Sequence, residues 1–298
     1  MIKNFKQLMD LSIKKKSKKI AVAAADDIEE LTVVANAEKL NLADFILIGD
    51  VKKMKELIEN NKLNIKSEMI DEKNHKKAAD LAVDLVINKD AGVIMKGMLQ
   101  SSTFLRAILN KEKGLNIRKH ITQISVIEKE NDDALMLITD CAITVNPDLK
   151  GKKIIIENAV DFAHKLGIEC PRVAVLASLE IINFEMQDTV DAAVLSKMVD
   201  RGQISGCIVD GPFALDNAVS QEAAEKKGIN SPVAGKADII VVPNLTVGNT
   251  LTKSITHIAK KTVAAATVGA DVPIVFTSRT ESLKGKLLSI ALASYISE

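Results

Sequence analysis

The sequence predicts an α/β fold in which mostly parallel strands are covered by helices. Short aliphatic and β-branched runs alternate with longer amphipathic segments along almost the whole chain of 298 residues. This alternation is typical of parallel sheets, because each connection crosses the sheet and is usually helical. Hydrophobic residues make up 47% of the chain, and its length is enough for about two domains.

The predicted elements follow one another in this alternating order. An apolar run at 20–25 predicts a buried strand, and Asp26 and Asp27 after it can cap a helix. That helix is predicted at 28–40, and the next strand at 45–48. Further strands are predicted at 92–95, 122–127, 134–139, 173–177, 207–209, 239–242 and 274–277. Further helices are predicted at 76–86, 155–166, 191–199, 250–261 and 282–294.

Charge and composition exclude several classes of partner. The 40 Lys and Arg residues are matched by 39 Asp and Glu, and a net charge of +1 argues against a protein that coats nucleic acid. The most apolar late stretch, 263–276, is interrupted by Asp271 and Pro273 and is too short to cross about 30 Å of hydrocarbon. The N-terminal segment also lacks the apolar region of a secretory leader. We therefore expect a cytoplasmic protein with no nucleic-acid or membrane partner.

The sequence predicts no metal site. Cys141, Cys170 and Cys207 are far apart and lack the CxxC spacing of a zinc site. The four histidines include no HExxH pair. The cysteines are therefore expected to be reduced, buried thiols.

Small polar residues gather in three turns between a predicted strand and a helix: Lys96 and Gly97 with Ser101, Ser102 and Thr103, then 244–250, then 277–282. Each turn could hold an anion, because glycine permits close backbone approach, hydroxyls donate hydrogen bonds and a helix N-terminus is partly positive. Ser and Thr are also ordinary N-caps, so each turn alone fits a structural role as well. Arg279 and Lys96 add cations to two of the turns.

Other motifs are ambiguous or absent. Asp210, before Gly211 and Pro212, could hold a carboxylate at a strand end, but an Asp that supports a tight turn fits equally well. A P-loop is excluded near Gly235, because Ala237 stands where a magnesium-binding Ser or Thr is needed. The chain also lacks a GxGxxG dinucleotide fingerprint.

Four segments together carry a family resemblance: 94–97 (IMKG), 210–218 (DGPFALDNA), 231–249 (SPVAGKADIIVVPNLTVGN) and 277–279 (TSR). With them the chain resembles the phosphate acetyltransferase and phosphate butyryltransferase family over essentially its whole length, and is more similar to the butyryl branch. The block at 231–249 is the most specific of the four, since a pattern of that length rarely arises by chance.

The resemblance implies a fold and a reaction. The fold is that of isocitrate and isopropylmalate dehydrogenases, with a first α/β domain at 1–145 plus 268–298, a second at 146–267, and an active cleft between them. Asn146, Pro147 and Asp148 fit a break at that boundary. In the implied reaction, coenzyme A and an acyl phosphate exchange with acyl-CoA and phosphate. Coenzyme A is then a substrate, no cofactor is permanently bound, and the chain forms a homodimer or larger homo-oligomer.

The resemblance also implies roles for individual residues. Ser278 and Arg279 match the family's catalytic pair, in which Arg279 holds the phosphoryl group and Ser278 donates to the carbonyl or the phosphate. The substrate-binding residues implied in the same way are Lys96, Gly97, Ser101, Ser102, Thr103, Arg106, Asp210, Asn244, Gly248 and Asn249.

One departure from the family pattern leaves the general base open. In the acetyl branch an aspartate seven positions after the serine is assigned to take the thiol proton, but Gly285 stands there in this sequence. Glu281, Asp210 and the departing phosphate are the candidates.

Three alternative functions remain at this point. One is a phosphate acetyltransferase that uses acetyl-CoA, and another is a non-catalytic binder of acyl-CoA or acyl phosphate, which the absence of the aspartate favours. A decarboxylating dehydrogenase of the same fold is disfavoured, because such enzymes usually need a Tyr-Lys relay and the one tyrosine, Tyr295, lies near the C-terminus.

Overall fold

The computed structural model describes residues 1–15, 19–115, 117–130, 133–278 and 280–297. Within these ranges strands alternate with helices, which confirms the predicted α/β class. The strands are β1 (Ile20–Ala23), β2 (Phe45–Gly49), β3 (Glu68–Asp71), β4 (Val93–Lys96), β5 (Ile117–Glu128), β6 (Leu135–Thr139), β7 (Arg172–Leu176), β8 (Ile208–Phe213), β9 (Ile239–Val241), β10 (Ala264–Ala270) and β11 (Ile274–Val275).

The helices are α1 (Phe5–Lys14), α2 (Ile28–Lys39), α3 (Val51–Asn60), α4 (His75–Ile87), α5 (Ser101–Ile108), α6 (Leu149–Lys165), α7 (Gln187–Asp200), α8 (Leu215–Val219), α9 (Gln221–Lys226), α10 (Leu245–Lys253) and α11 (Leu283–Ile296). A π-helical turn at Ser254–Ile258 follows α10. None of the helices in the described ranges is long and apolar enough to cross a bilayer.

The chain forms two compact units. The terminal unit contains Phe5–Lys119 and Ala264–Glu298, and the central unit contains Met1–Asn4 and His120–Val263. The predicted boundary at 145–146 differs from this division. β6 accounts for the difference, because it pairs with β9 and so places residues before 146 in the sheet of the central unit.

In the terminal unit the strand order is β3-β2-β1-β4-β11-β10. The first five of these strands are parallel, and β10 runs antiparallel to β11. The carboxyl ends of β1, β4 and β11 lie at one edge, since Ala23 pairs with Lys96 and Met95 pairs with Val275. Open α/β sheets bind ligands at this edge, and the segments that leave β4 and β11 carry most of the predicted residues of this unit.

In the central unit the strand order is β5-β6-β9-β7-β8, with β5 antiparallel to β6 and the other four strands parallel. Aliphatic side chains from several strands, such as Ile138 and Ile240, pack with Phe213 in one core cluster. The carboxyl ends of β6 and β9 are adjacent, because Thr139 pairs with Val241. The segment that follows β9 contains the candidate residues at the start of α10, and the segment that follows β6 lies beside it.

Several elements differ from the prediction. The strand predicted at 207–209 continues to the end of β8, so Asp210 lies inside the strand and not in a turn after it. The helix predicted at 250–261 begins earlier, at Leu245, because the side chain of Asn244 caps it there. β3 and β10 were not predicted, since β3 is only half-buried and β10 is rich in alanine and glycine.

Candidate active site

Lys96 is a buried cation at the carboxyl end of β4. Its Nζ donates a hydrogen bond to the carbonyl oxygen of Gly97 at 3.2 Å and lies 6.0 Å from the centroid of the Phe276 ring. The Phe276 ring in turn stacks on Phe104, with 6.1 Å between centroids. Because charges interact more strongly away from water, an anion that reached this ammonium would be held firmly.

Gly97 makes the turn after β4 possible. Its N–H donates to the carbonyl oxygen of Ala23 at 2.9 Å, and the N–H of Met98 donates to that of Ala24 at 2.8 Å. A Cβ atom at position 97 would lie 2.6 Å from the Ala23 oxygen and would overlap the Ala24 carbonyl. The turn therefore requires glycine, which agrees with the close backbone approach predicted for it.

Three hydroxyl residues, Ser101, Ser102 and Thr103, form the first turn of α5. The N-cap position belongs to Gln100, so these residues do not have the capping role that was their structural alternative. Ser101 and Ser102 are exposed at the helix start, and Arg106 is exposed in the last turn of the same helix. The first turn can therefore present hydroxyl groups to an anion beside the partly positive helix end.

Ser278 is exposed in the segment between β11 and α11. Its Oγ lies 3.1 Å from Oγ1 of Thr280, and its N–H donates to Oε2 of Glu281 at 3.3 Å. The N–H of Glu281 donates to the carbonyl oxygen of Ser278 at 3.1 Å, which closes the turn. Arg279, the predicted partner of Ser278, lies outside the described residues.

Glu281 provides a carboxyl group beside Ser278, whereas Gly285 provides none. Burial raises the pKa of Glu281 to about 7, and hydrogen bonds from the Ser278 N–H and the Ser289 hydroxyl act in the opposite direction. Gly285 is buried in the first turn of α11, where its N–H donates to Oγ of the capping Ser282 at 3.1 Å. Glu281 therefore stays a candidate for the proton acceptor.

Asn244 and Gly248 fix the start of α10 in the central unit. The Asn244 side chain accepts a hydrogen bond from the N–H of Val247 at 3.1 Å. Gly248 is buried, and a Cβ atom there would lie 2.6 Å from the carbonyl oxygen of Asp140. Asn249 is exposed at the next position. Glycine at 248 thus allows the first turn of α10 to pack against the backbone that follows β6.

Asp210 has the contacts of a structural residue. Its Oδ1 accepts hydrogen bonds from the N–H of Gly211 at 2.8 Å and from the hydroxyl of Ser196 at 3.4 Å. These contacts are those of an aspartate that stabilises the local backbone. A role for Asp210 in substrate binding stays a prediction.

One cavity contains none of the candidate residues. It lies at the amino ends of β7 and β9, where Nε of Arg172 and Oδ2 of Asp238 form an ion pair at 2.9 Å. Apart from Asp210, which lies inside β8, the candidate residues lie at or after the opposite, carboxyl ends of parallel strands. Within the described ranges, His, Cys, Asp and Glu side chains form no group of three or more that could hold a metal ion.

Comparison with known proteins decides the family. Residues 65–294 match the family model described as phosphate acetyl/butaryl transferase. The chain belongs to this family. The family predicted from the four sequence segments is therefore confirmed.

Relatives of this phosphate acyltransferase family member are similar over nearly the whole chain. A phosphate butyryltransferase from Clostridium beijerinckii is 43% identical over 297 residues, which cover 99% of this chain and 98% of that protein. A phosphate acetyltransferase from Thermotoga maritima is 40% identical over 279 residues, which cover 94% and 95%. The structure of a branched-chain phosphotransacylase from Enterococcus faecalis superposes with a TM-score of 0.83 at 29% identity and covers 94% of this chain and 100% of that one.

Asp140 is a residue of this acyltransferase that sequence reasoning missed. Its carboxylate organises the loop after β6 by accepting hydrogen bonds at 2.8–3.1 Å from the N–H groups of Gln123, Ala142, Ile143 and Thr144 and from the Thr144 hydroxyl. An acidic residue directly after an apolar strand was the available signal. Its donors become visible only in the folded chain.

We expect Asp140→Asn to lower the free energy of unfolding by about 2–3 kcal/mol, because an amide nitrogen would then face the donors of Thr144 or of the other N–H groups. Urea unfolding of the two proteins measures the difference. Asp161→Asn, at an exposed position of α6, is the matched control and should change stability by no more than about 0.5 kcal/mol. Equal stability of Asp140→Asn and wild type would contradict the role assigned to Asp140.

Proposed function

We propose that this enzyme transfers a short-chain acyl group, preferably butyryl, between coenzyme A and inorganic phosphate. The observation that carries the proposal is the 43% identity to a phosphate butyryltransferase across 99% of the chain. Coenzyme A and phosphate act as substrates, and the reaction needs no permanently bound cofactor.

In the direction of acyl-CoA formation, the thiolate sulfur of coenzyme A bonds to the carbonyl carbon of the acyl phosphate. The carbon–oxygen bond to phosphate breaks, and phosphate leaves with the electron pair. Ser278 donates a hydrogen bond to the carbonyl or phosphate oxygen, and Arg279 offsets the negative charge that collects in the transition state. The thiol proton passes to a base or to the departing phosphate.

The remaining candidate residues bind the substrates. In the terminal unit, the buried ammonium of Lys96 attracts an anionic group, and the hydroxyls at 101–103 and Arg106 supply further donors. In the central unit, the substrate-binding residues Asn244, Gly248 and Asn249 lie at the start of α10. Interactions of this kind position the reacting groups, which can account for much of the rate when the chemistry needs no cofactor.

We infer that the acyl group passes directly from one substrate to the other. Burial raises the pKa of Cys141 to about 12 and that of Cys207 to about 11, so neither thiol is ionised enough at neutral pH to form an acyl-enzyme. Cys170 is exposed, contrary to the expectation that all three cysteines are buried, and it lines the cavity at the amino ends of β7 and β9, which contains none of the candidate residues. This supports a ternary complex of enzyme and both substrates.

We also propose that the protein acts in the cytoplasm, where acyl-CoA and phosphate are available, and that it forms a homodimer or larger homo-oligomer. The family resemblance supports the oligomer, and sedimentation equilibrium would give its size. Neither nucleic acid nor membrane is a proposed partner.

Direct transfer predicts that labelled phosphate does not exchange into butyryl phosphate when coenzyme A is rigorously absent. Addition of a trace of coenzyme A should start the exchange, because the acyl group then has an acceptor. Scintillation counting of the isolated acyl phosphate measures both rates. Full exchange without coenzyme A would instead reveal an acyl-enzyme.

A comparison of acetyl-, butyryl-, isobutyryl- and valeryl-CoA tests the proposed function. We expect phosphate-dependent thiol release with the highest kcat/KM for butyryl-CoA, about tenfold or more above acetyl-CoA, since a methylene in a fitted pocket contributes about 1–3 kcal/mol. The 40% identical acetyltransferase supports the second candidate, phosphate acetyltransferase, which preference for acetyl-CoA would establish. Binding of acyl-CoA without thiol release would identify a non-catalytic binder.

Arg279→Ala should lower kcat/KM by about 10²–10³, the loss expected when a group that stabilises transition-state charge is removed. Steady-state thiol release gives the value. Arg201→Ala, which changes an exposed arginine at the end of α7, is the control and should retain wild-type kinetics. Wild-type kinetics in Arg279→Ala would remove this residue from the mechanism.

A further inference from the structure

The Ser278 turn is held in place by the side chain of Glu281. One carboxylate oxygen, Oε2, accepts the Ser278 N–H at 3.3 Å, and the other, Oε1, accepts the hydroxyl of Ser289 at 3.4 Å. The Ser289 Oγ itself accepts the N–H of Ala265 at 2.9 Å. The carboxylate therefore connects the turn that carries Ser278 to α11 and to the start of β10.

These contacts depend on the charge of the carboxyl group. An ionised carboxylate is an acceptor at both oxygens and can bond to the Ser278 N–H and the Ser289 hydroxyl together. A protonated carboxyl is neutral and accepts hydrogen bonds more weakly, and its O–H can donate to the Ser289 hydroxyl, which can also accept, but not to the Ser278 N–H, which can only donate. Protonation thus weakens one end of the connection between the turn and the helix.

Charged groups around Glu281 act in opposite directions. Lys286, in the first turn of α11, favours the ionised form of Glu281, whereas Glu30 of α2 disfavours it. Lys286 is itself buried and engaged, with Nζ 3.0 Å from Oε1 of Glu30 and 3.8 Å from Oε2 of Glu29. Oε2 of Glu30 is buried and has no hydrogen-bond partner among the described residues. The cation nearest to Glu281 is therefore already paired with carboxylates of α2.

We propose that Glu281 is a positioning residue for the acyl transfer, whose ionised carboxylate holds the Ser278 turn in its working conformation and releases it on protonation. The proposal rests on the proposed function, because it assigns Ser278 to the reaction. It supplies a role for the carboxyl group that does not require contact with the thiol of coenzyme A.

The direction of the pH dependence follows from the burial of the group. Since burial raises the pKa of Glu281 to about 7, the carboxyl is mostly protonated at pH 6 and mostly ionised at pH 8. The working conformation is therefore lost as the pH falls through about 7. Inorganic phosphate also titrates in this pH range. The test therefore divides the wild-type rate by the variant rate at each pH, because titration of the substrate affects both rates equally and cancels in the ratio.

The primary experiment compares wild type and Glu281→Gln at saturating butyryl-CoA and phosphate. Gln keeps the size of the side chain but has no ionisable group. We expect the ratio of wild-type kcat to variant kcat to rise about tenfold between pH 6 and pH 8, as a single group with a pKa near 7 ionises, while KM for butyryl-CoA changes little. A ratio that stays constant across this range overturns the proposal, whatever its size.

Glu29→Gln is the matched control for this substitution. Glu29 carries the same side chain in the same unit, is largely exposed, and contacts Lys286 only at 3.8 Å. Its kcat should follow that of wild type at every pH. Thermal unfolding of each variant at pH 8 shows whether it is folded at the assay temperature, and a lower Tm of Glu281→Gln with a constant rate ratio would identify a purely structural role and overturn the proposal.

Ser289→Ala keeps the proposal testable if Glu281→Gln does not fold. The substitution removes a hydrogen bond to the ionised carboxylate and should therefore raise the pKa of Glu281 further. We expect the ratio of wild-type kcat to Ser289→Ala kcat to fall as the pH rises from 6 to 9, and a constant ratio contradicts the proposal. If wild type shows no phosphate-dependent thiol release, the proposed function itself is wrong. Failure of the proposed function is thereby distinguished from failure of the proposal for Glu281.

Discussion

The site in the terminal unit depends on the close approach of the Gly97 backbone to the carbonyl groups of Ala23 and Ala24. This contact folds the segment after β4 over the end of β1. Lys96, the residue before this turn, is held in register by pairing with Ala23, and its ammonium lies beside Phe276, two residues before Ser278. A larger residue at 97 would overlap the carbonyl groups of Ala23 and Ala24 and would push the turn after β4 away from the sheet edge.

The total charge of the chain does not describe the surroundings of its individual cations. The chain as a whole is nearly neutral, with 40 basic and 39 acidic residues. Lys286 is buried and neutralised by carboxylates of α2, whereas Lys96 is buried next to a carbonyl oxygen and an aromatic ring. The two lysines are therefore buried in different surroundings, one among carboxylates and the other beside an aromatic ring. Near neutrality of the whole chain is therefore compatible with a buried cation at the carboxyl end of β4, where an anionic substrate is proposed to bind.

The sequence predicted the elements and residues whose role depends on residues close to them in the chain. The continuous apolar runs of β1 and β2 predict that both strands are buried. The segment around Ser278 was identified by its match to the family pattern. β10 was missed because its small residues become a strand only by pairing with β11. Asp140 was missed for a similar reason, since one of its donors, Gln123, belongs to a different strand. The contacts of Glu281 likewise need Ser289, which lies two turns further along α11.

The position of β11 also affects how the chain is made. In the terminal-unit sheet β11 lies between β4 and β10, although nearly 180 residues separate β4 from it along the chain. During synthesis β4 therefore remains an edge strand until the last part of the chain leaves the ribosome. All of β4 is buried in the finished fold, and an apolar strand with an unpaired edge can pair with other chains. A chain that stops before residue 274 would keep this edge open, and aggregation would then compete with folding.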